Sequence, residues 1–374
     1  MPGSHISRTA VLILLTCLSD VAGQAQATSS FDDLVEQASA AREQNDIPRA
    51  IELYSRIVQV NPKWPLGWWF LGWLQYQAGS FAAARDSLTH FIEVTPNPGP
   101  ALGLRGLSEL ETGEYQQALE DIERSLSMRE VGQPQNEQGL RFYEAVLLTR
   151  LGKFEDALRT YNFFVQRGVT SPELSSAIGL AGLRRKLLPK DVPEDQRDLV
   201  AAAGEALRKF MAGDENGAAS AFQALFQHFP MALNAHYLYG YLLFTSDPYL
   251  AGAEFKRELE IAPSSENAQI AMAWALLMQN NAAAALPYAR SAAAARPELA
   301  ATELVLGRAL SEVGELKEGI DNLEHALQQE PDNLEIHIAL AKAYSRSGRT
   351  EEAHRERAVS LKLAPNGMTH IALP

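Results

Sequence analysis

The sequence predicts an all-α fold, an α-solenoid of about nine helical hairpins with one extra helix inserted after the fourth hairpin. Helix-forming residues dominate the chain, and glycine and proline are spaced along it rather than clustered in runs. Prolines recur every 33 or 34 residues, at Pro62 and Pro96 and again at Pro230, Pro263, Pro297, Pro331 and Pro365. A fixed period of this size indicates an array of supersecondary units, each of which buries its apolar face against the next.

Two small residues mark each predicted hairpin. Ala84 stands 12 residues before Pro96, and Gly72 stands 24 residues before the same proline. Two helices whose backbones approach closely need small side chains at the crossing, a tight turn between them and a proline after the second helix. Two further units keep the small residues without the proline, which brings the count to nine: Gly106 with Ala118, and Ala145 with Ala157.

The predicted turns between paired helices carry glycine or asparagine. These residue types readily adopt the left-handed backbone conformation through which many helices end. The predicted turn residues are Asn45, Gly79, Gly113, Gly152, Gly213, Gly314 and Gly348.

Residues 170–198 depart from the period. Ser171 is a suitable N-cap and Pro172 a suitable first residue for one extra helix, which the proline-rich stretch "PKDVPED" then ends. The basic stretch "LRRKLLPK" is expected to form the solvated end of that helix. The insertion therefore separates units one to four, residues 31–169, from units five to nine, residues 199–365, with a change in stacking expected between them.

The N-terminus predicts export. Arg8 precedes an apolar run of about nine residues, which is far shorter than the roughly 20 that a spanning helix needs. The small residues Ala25 and Ala27 then suit a signal peptidase, so residues 1–27 are predicted to be a cleaved signal peptide of a periplasmic or secreted protein. Cleavage after Gly23, an uncleaved apolar N-terminus and a lipoprotein at Cys17 stay open, although Thr16 disfavours the lipoprotein. Residues 366–374 are predicted to be a C-terminal tail.

Composition and motifs argue against several functions. The formal net charge of −13 argues against nucleic-acid binding, which needs clustered cations. Cys17 is the only cysteine, so cleavage would leave a chain with no thiolate nucleophile or cysteine-bound metal. The motifs H-E-x-x-H, G-x-S-x-G, S-x-x-K and G-x-x-x-x-G-K-[ST] do not occur. We expect neither enzymatic activity nor a cofactor or metal, although carboxylates that converge in space could still form a glycosidase site.

With its recurring small residue, turn glycine, alanine, aromatic and proline, the sequence resembles tetratricopeptide repeat (TPR) proteins. The stretch "WWFLGWLQYQAGSFAAARDSL" resembles secreted bacterial members most closely. The resemblance covers Phe31 to Pro365 apart from the insertion. It implies a right-handed superhelix of helix pairs whose first helices line a concave groove, and it implies binding rather than chemistry.

The tryptophan-rich stretch "WWFLGW", residues 68–73, supplies the candidate site. Trp68 is expected to share the buried stripe of Gly72. A second stripe, which the resemblance turns towards the groove, contains Trp69, Trp73 and Tyr76 at positions i, i+4 and i+7. Aromatic residues at equivalent sites complete the candidate partner-binding set: Phe142, Phe210, Tyr237, Tyr241, Phe244 and Trp274.

Two interpretations of these aromatic residues remain open. They pack internally between hairpins, or they form an apolar groove that grips a peptide. The predicted function is a protein–protein interaction scaffold of the bacterial cell envelope, which binds a protein or peptide partner whose identity the sequence does not reveal. The alternative is a carbohydrate or peptidoglycan-binding module that uses the Trp and Tyr rings as platforms. Capture of a peptide C-terminus by lysine and asparagine is disfavoured, because aromatic residues occupy those sites.

Overall fold

A computed structural model of the chain describes residues 29–128 and 134–364, and these residues form 19 α-helices and no strand. The prediction of an all-α fold is confirmed. The predicted signal peptide and the predicted C-terminal tail lie outside the described residues. None of the described helices has both the length and the apolar content that crossing a bilayer requires.

The chain divides into two compact units, Met1–Glu215 and Asn216–Pro374. The helices of the first unit are α1 (Ser29–Glu43), α2 (Ile47–Val60), α3 (Pro65–Gln77), α4 (Phe81–Val94), α5 (Gly99–Thr112), α6 (Tyr115–Ser127), α7 (Pro134–Leu151), α8 (Phe154–Val165), α9 (Pro172–Gly182) and α10 (Arg197–Met211). Consecutive helices from α1 to α8 pack as four hairpins. Two short 3₁₀ helices, Pro189–Asp191 and Glu194–Gln196, lie between α9 and α10.

The second unit begins within the first turn of α11 (Glu215–His228). Its other helices are α12 (Ala235–Leu243), α13 (Pro248–Ile261), α14 (Glu266–Met278), α15 (Ala282–Ala295), α16 (Ala300–Val313), α17 (Leu316–Gln329), α18 (Leu334–Arg346) and α19 (Thr350–Leu363). Helices α12 to α19 pack as four further hairpins in chain order.

The small residues mark the helix crossings, as the period predicted. A Cβ atom added to Gly72 would lie 2.7 Å from Cγ of Leu88, so no larger residue fits between α3 and α4 without movement. A Cβ on Gly307 would likewise lie 2.7 Å from the carbonyl oxygen of Gly319. Such close contact lets each hairpin bury its apolar stripe.

The turns also follow the prediction. Gly113 ends α5 at φ 87°, and the next N–H, of Glu114, donates to the carbonyl of Glu109 at 2.8 Å. The other predicted turn residues all have positive φ as well: Asn45, Gly79, Gly152, Gly213, Gly314 and Gly348. A left-handed residue turns the chain sharply enough for the second helix to fold back on the first.

The segment predicted to be an insertion contains a tightly packed helix, α9. Ser171 accepts a hydrogen bond from the N–H of Leu174 at 3.1 Å, which caps α9 as predicted. Helix α9 packs directly on α10, because Gly179 and Gly204 let the two backbones touch. A Cβ on Gly179 would lie 1.9 Å from the carbonyl oxygen of Val200. The first compact unit therefore includes both α9 and α10.

The basic stretch after α9 is not a solvated helix end, which corrects the sequence interpretation. The helix stops at Gly182, and Arg184 turns away at φ 54°. The Arg184 guanidinium pairs with Glu155 at 2.5 Å, and Lys190 Nζ pairs with Glu111 at 2.7 Å. These cations hold the linker against α8 and α5 instead of complementing a helix terminus.

Candidate functional site

The first helices of neighbouring hairpins contact one another within each unit. In the first unit α3 contacts α5, and α5 contacts α7; in the second unit α12 contacts α14, α14 contacts α16, and α16 contacts α18. We call α3, α5 and α7 the inner wall of the first unit. We call α12, α14, α16 and α18 the inner wall of the second unit.

The three candidate aromatic residues of α3 differ in exposure. Trp69 is only 8% exposed, and its ring centre lies 5.6 Å from that of Phe91 on α4. Trp73 and Tyr76 are half-buried at the edge of the same core, with the Tyr76 ring 5.4 Å from that of Phe81. Trp69 is therefore a core residue, and Trp73 and Tyr76 keep part of their ring surface accessible.

Trp68, the first residue of the "WWFLGW" stretch, connects two hairpins. It is half-buried rather than buried as the sequence suggested, its ring lies 4.4 Å from that of His90, and its indole N–H donates to the carbonyl of Pro62 at 2.8 Å. The same connection recurs six residues after two other prolines: Gln269 donates to Pro263 at 2.9 Å, and the His337 ring contacts the Pro331 carbonyl at 2.8 Å. Trp68 thus ties the end of one hairpin to the start of the next.

Most candidates in the second unit are core residues. Tyr237 is 3% exposed, and Phe244 and Trp274 are each 2% exposed. All three belong to one cluster with Phe255, against which Tyr241 is half-buried. The expectation that the whole aromatic stripe faces the groove does not hold for these three or for Trp69, because neighbouring side chains cover their rings.

The remaining two candidates, Phe142 and Phe210, are half-buried on α7 and α10. The Phe142 ring lies 6.3 Å from the rings of Tyr161 and Phe164 on α8. The structure therefore leaves five candidates partly accessible, and it distributes them over both units: Trp73, Tyr76, Phe142, Phe210 and Tyr241.

The inner wall of the second unit also carries charged residues that the sequence interpretation missed. Arg308 follows Gly307 and Lys342 follows Ala341, just as Trp73 follows Gly72 and Tyr241 follows Gly240. The Arg308 guanidinium lies 4.8 Å from the centre of the Trp274 ring. The same offset from the small residue predicts both cations, whereas a pattern of aromatic residues alone does not include them.

Two family models described as "Tetratricopeptide repeat" match the chain, at residues 35–90 and 310–366. Residues 35–90 and 310–366 are therefore tetratricopeptide repeats, and together with the hairpins they support a TPR protein. Such proteins are protein–protein interaction scaffolds, and the repeat is generally a non-catalytic fold.

Bacterial relatives share part of the sequence. "Cellulose synthase operon protein C" of Pseudomonas fluorescens (strain SBW25) is 25% identical over 189 residues, which are 50% of this chain and 14% of the relative. "Protein FlbA" of Caulobacter vibrioides is 29% identical over 140 residues, which are 37% of this chain and 22% of the relative. The chain therefore matches less than a quarter of the length of either.

Among solved structures, MamA from Desulfovibrio magneticus RS-1 is similar, with a TM-score of 0.41 and 20% identity over 46% of this chain and 97% of that one. YrrB, titled a TPR protein with an unusual peptide-binding site, has a TM-score of 0.39 and 17% identity over 48% of this chain and 93% of that one.

A buried charge cluster lies between the TPR helices α5 and α6 of the first unit. The Arg105 guanidinium binds the Asp121 carboxylate through two hydrogen bonds of 2.5 and 2.9 Å. Glu109 is 6% exposed and lies 3.8 Å from the same guanidinium, and one of its oxygens has no hydrogen-bond partner among the described residues. Burial, followed by the charge of Asp121, raises the pKa of Glu109 to about 7.

Buried polar contacts also join TPR helices α12 and α13 in the second unit. The fully buried Glu258 accepts hydrogen bonds from the N–H groups of Asn234 at 2.8 Å and Tyr237 at 3.2 Å, at the start of α12. His236 meets Glu254 at 2.6 Å. A carboxylate at a helix N-terminus satisfies free N–H groups, so these contacts are structural. In the described residues no group of three or more His, Cys, Asp or Glu could hold a metal ion.

Proposed function

We propose that this TPR protein is a non-enzymatic scaffold of the bacterial cell envelope that binds a peptide segment or protein partner on its inner walls. The repeat fold supports a binding role, and the N-terminal apolar run before Ala25 and Ala27 supports export to the periplasm or secretion. The bacterial origin of the curated relatives agrees with this setting.

One observation carries the binding proposal: Trp73 and Tyr76 stand half-buried, one turn apart on α3, above a tightly packed core. Trp69 and Phe91 fill that core, which fixes the backbone that presents the two rings. Aromatic side chains held in place lose little conformational freedom on binding and offer a large apolar contact area. An apolar segment of a partner would cover this surface.

Site-specific photocrosslinking tests the proposal. Benzoylphenylalanine replaces Tyr76 in one variant and the exposed Ala83, on α4, in a matched control. After irradiation in cells, we expect a discrete protein adduct from position 76 and none from position 83. The adduct partner, once purified, should bind the Trp73→Ala variant about tenfold or more weakly, with an unchanged fold.

Two results would change the conclusion. Adducts at position 83 but not at 76 would place the partner on the outer surface and contradict the proposal. Binding of purified protein to peptidoglycan or soluble glycans, abolished by Trp73→Ala, together with no protein adduct, would replace it by the carbohydrate-binding alternative.

A further inference from the structure

The inner wall of the second unit gathers cations from two neighbouring helices. Glu312 on α16 bridges Arg308 on the same helix at 3.5 Å and Lys342 on α18 at 2.9 Å. Arg346, one turn after Lys342, donates to the main-chain carbonyl of Ser311 at 2.6 Å. These contacts hold three cationic side chains side by side before any partner arrives.

Positive charge exceeds negative charge in this cluster. Among the described residues, Arg346 has no carboxylate within 4.0 Å, so no partner neutralises its charge. Glu335, on the same face of α18, is the second acid of the cluster, and burial raises its pKa although Arg308 lowers it. The cluster therefore contains three cations and two carboxylates. Glu312 is paired with two of the cations, and burial disfavours the ionised form of Glu335. The surplus stands out in a chain with a formal net charge of −13.

Part of this surface is open to a partner and includes an apolar side chain. Ile338, Lys342 and Arg346 follow one another at i, i+4 and i+8, which places them on one face of α18. Ile338 is 37% exposed, and the Lys342 side chain is 57% exposed. A partner that covers this face must therefore offer both anionic and apolar groups.

We infer that the inner wall of the second unit binds a peptide segment whose internal acidic side chains meet Lys342 and Arg346 and whose apolar side chain covers Ile338. The inference rests on the proposed scaffold function and names the chemistry of the partner. Glu312 holds Arg308 and Lys342 in place, so the partner's carboxylates do not have to order flexible cations. A guanidinium with unused N–H donors suits a carboxylate, which can accept two of them.

The charge of the whole chain favours a peptide over a polyanion. A nucleic acid would meet long-range repulsion from a strongly acidic protein. A short segment with a few acids between apolar residues gains the local contacts with little of that repulsion, because surface charges farther apart than about 10 Å are screened at moderate salt.

Fluorescence polarisation with a labelled peptide tests the inference. The peptide alternates Asp and Leu between Gly-Ser spacers, and both its ends are blocked so that no terminal carboxylate contributes. The variant Lys342→Gln with Arg346→Gln removes two exposed cations from the wall, and the control Arg355→Gln with Arg357→Gln removes two exposed cations from α19. Both variants carry the same net charge.

We expect the wall variant to bind the peptide about tenfold or more weakly than the natural protein, and the control variant to bind it within about twofold. A peptide with Lys in place of Asp should not bind. Circular dichroism and thermal melting establish that each variant is folded. Ile338→Ser provides a second, uncharged perturbation, which should also weaken binding.

Equal binding by the wall variant and the natural protein, or equal loss in the wall and control variants, would overturn the inference. So would the absence of measurable binding to the natural protein. These results leave the proposed function testable on its own, because the crosslink at position 76 and the effect of Trp73→Ala concern the first unit. Failure of both experiments would reject the scaffold proposal as well.

Discussion

The substitution Glu109→Gln tests whether burial disfavours the ionised form of the Glu109 carboxylate. Glu109 is 6% exposed between α5 and α6, and Arg105, its nearest cation at 3.8 Å, already binds Asp121 through two hydrogen bonds. The amide of Gln has nearly the same shape and carries no charge at any pH. The substitution therefore removes the cost of burying this one charge while it preserves how the two helices pack.

The magnitude follows from the pKa of Glu109, which rises from 4.5 to about 7 in the folded protein. The pKa of Glu109 is higher in the folded than in the unfolded protein, so its protonation stabilises the fold. This contribution to the free energy of unfolding is fully present below pH 4.5 and is lost as the pH rises through 7. At about 1.4 kcal/mol per pH unit, ionised Glu109 costs the folded state up to about 3 kcal/mol. Between pH 5 and pH 8, the advantage of Glu109→Gln over the natural protein should grow by roughly 2 kcal/mol.

Urea unfolding followed by circular dichroism at pH 5 and pH 8 measures this difference. Glu123→Gln is the matched control, because Glu123 is exposed on α6. The control should show the same pH dependence as the natural protein. If Glu109→Gln also shows that dependence, or is less stable than the natural protein at pH 8, Glu109 is not a buried, reluctantly ionised group.

Three further substitutions test how the helices pack. Gly179→Ala forces a Cβ to within 1.9 Å of a backbone oxygen and should lower the stability of the first unit by at least about 2 kcal/mol in a thermal melt. Gly139→Ala should not, because its added Cβ would meet no described atom outside its own helix within 4 Å. Trp68→Phe removes the hydrogen bond to the Pro62 carbonyl and should cost about 0.5–1.5 kcal/mol of unfolding free energy; no measurable change would mean that this connection is dispensable. Trp73→Ala with Tyr241→Ala removes two half-buried rings and should lower the free energy of unfolding by less than about 3 kcal/mol for each ring, while it weakens partner binding by about 2–4 kcal/mol. A loss of about 3–5 kcal/mol for each ring with partner binding unchanged would mean that both rings are core residues.

The sequence by itself determined the helical hairpins and their crossings. The reason is that the requirements of a hairpin are local: Gly72 and Ala84 lie only 12 residues apart, and the left-handed turn residue lies between them. The same small and turn residues recur in each repeat, so the whole array predicts the hairpins more clearly than any one segment does. The cap of α9 at Ser171 was likewise readable, since a side chain and an N–H three residues later decide it.

Only the tertiary structure decided which side chains of the aromatic stripe are accessible and where the chain divides. Trp274 is buried partly because Arg308, one repeat later, lies over its ring, and Trp69 because Phe91 of the facing helix covers it. Gly179 lies in the predicted insertion, and Gly204 is not one of the small residues that mark a repeat, so the period did not predict that the two backbones touch. Exposure and the pKa of a buried acid depend on neighbours distant in the chain, and no periodic pattern specifies those neighbours.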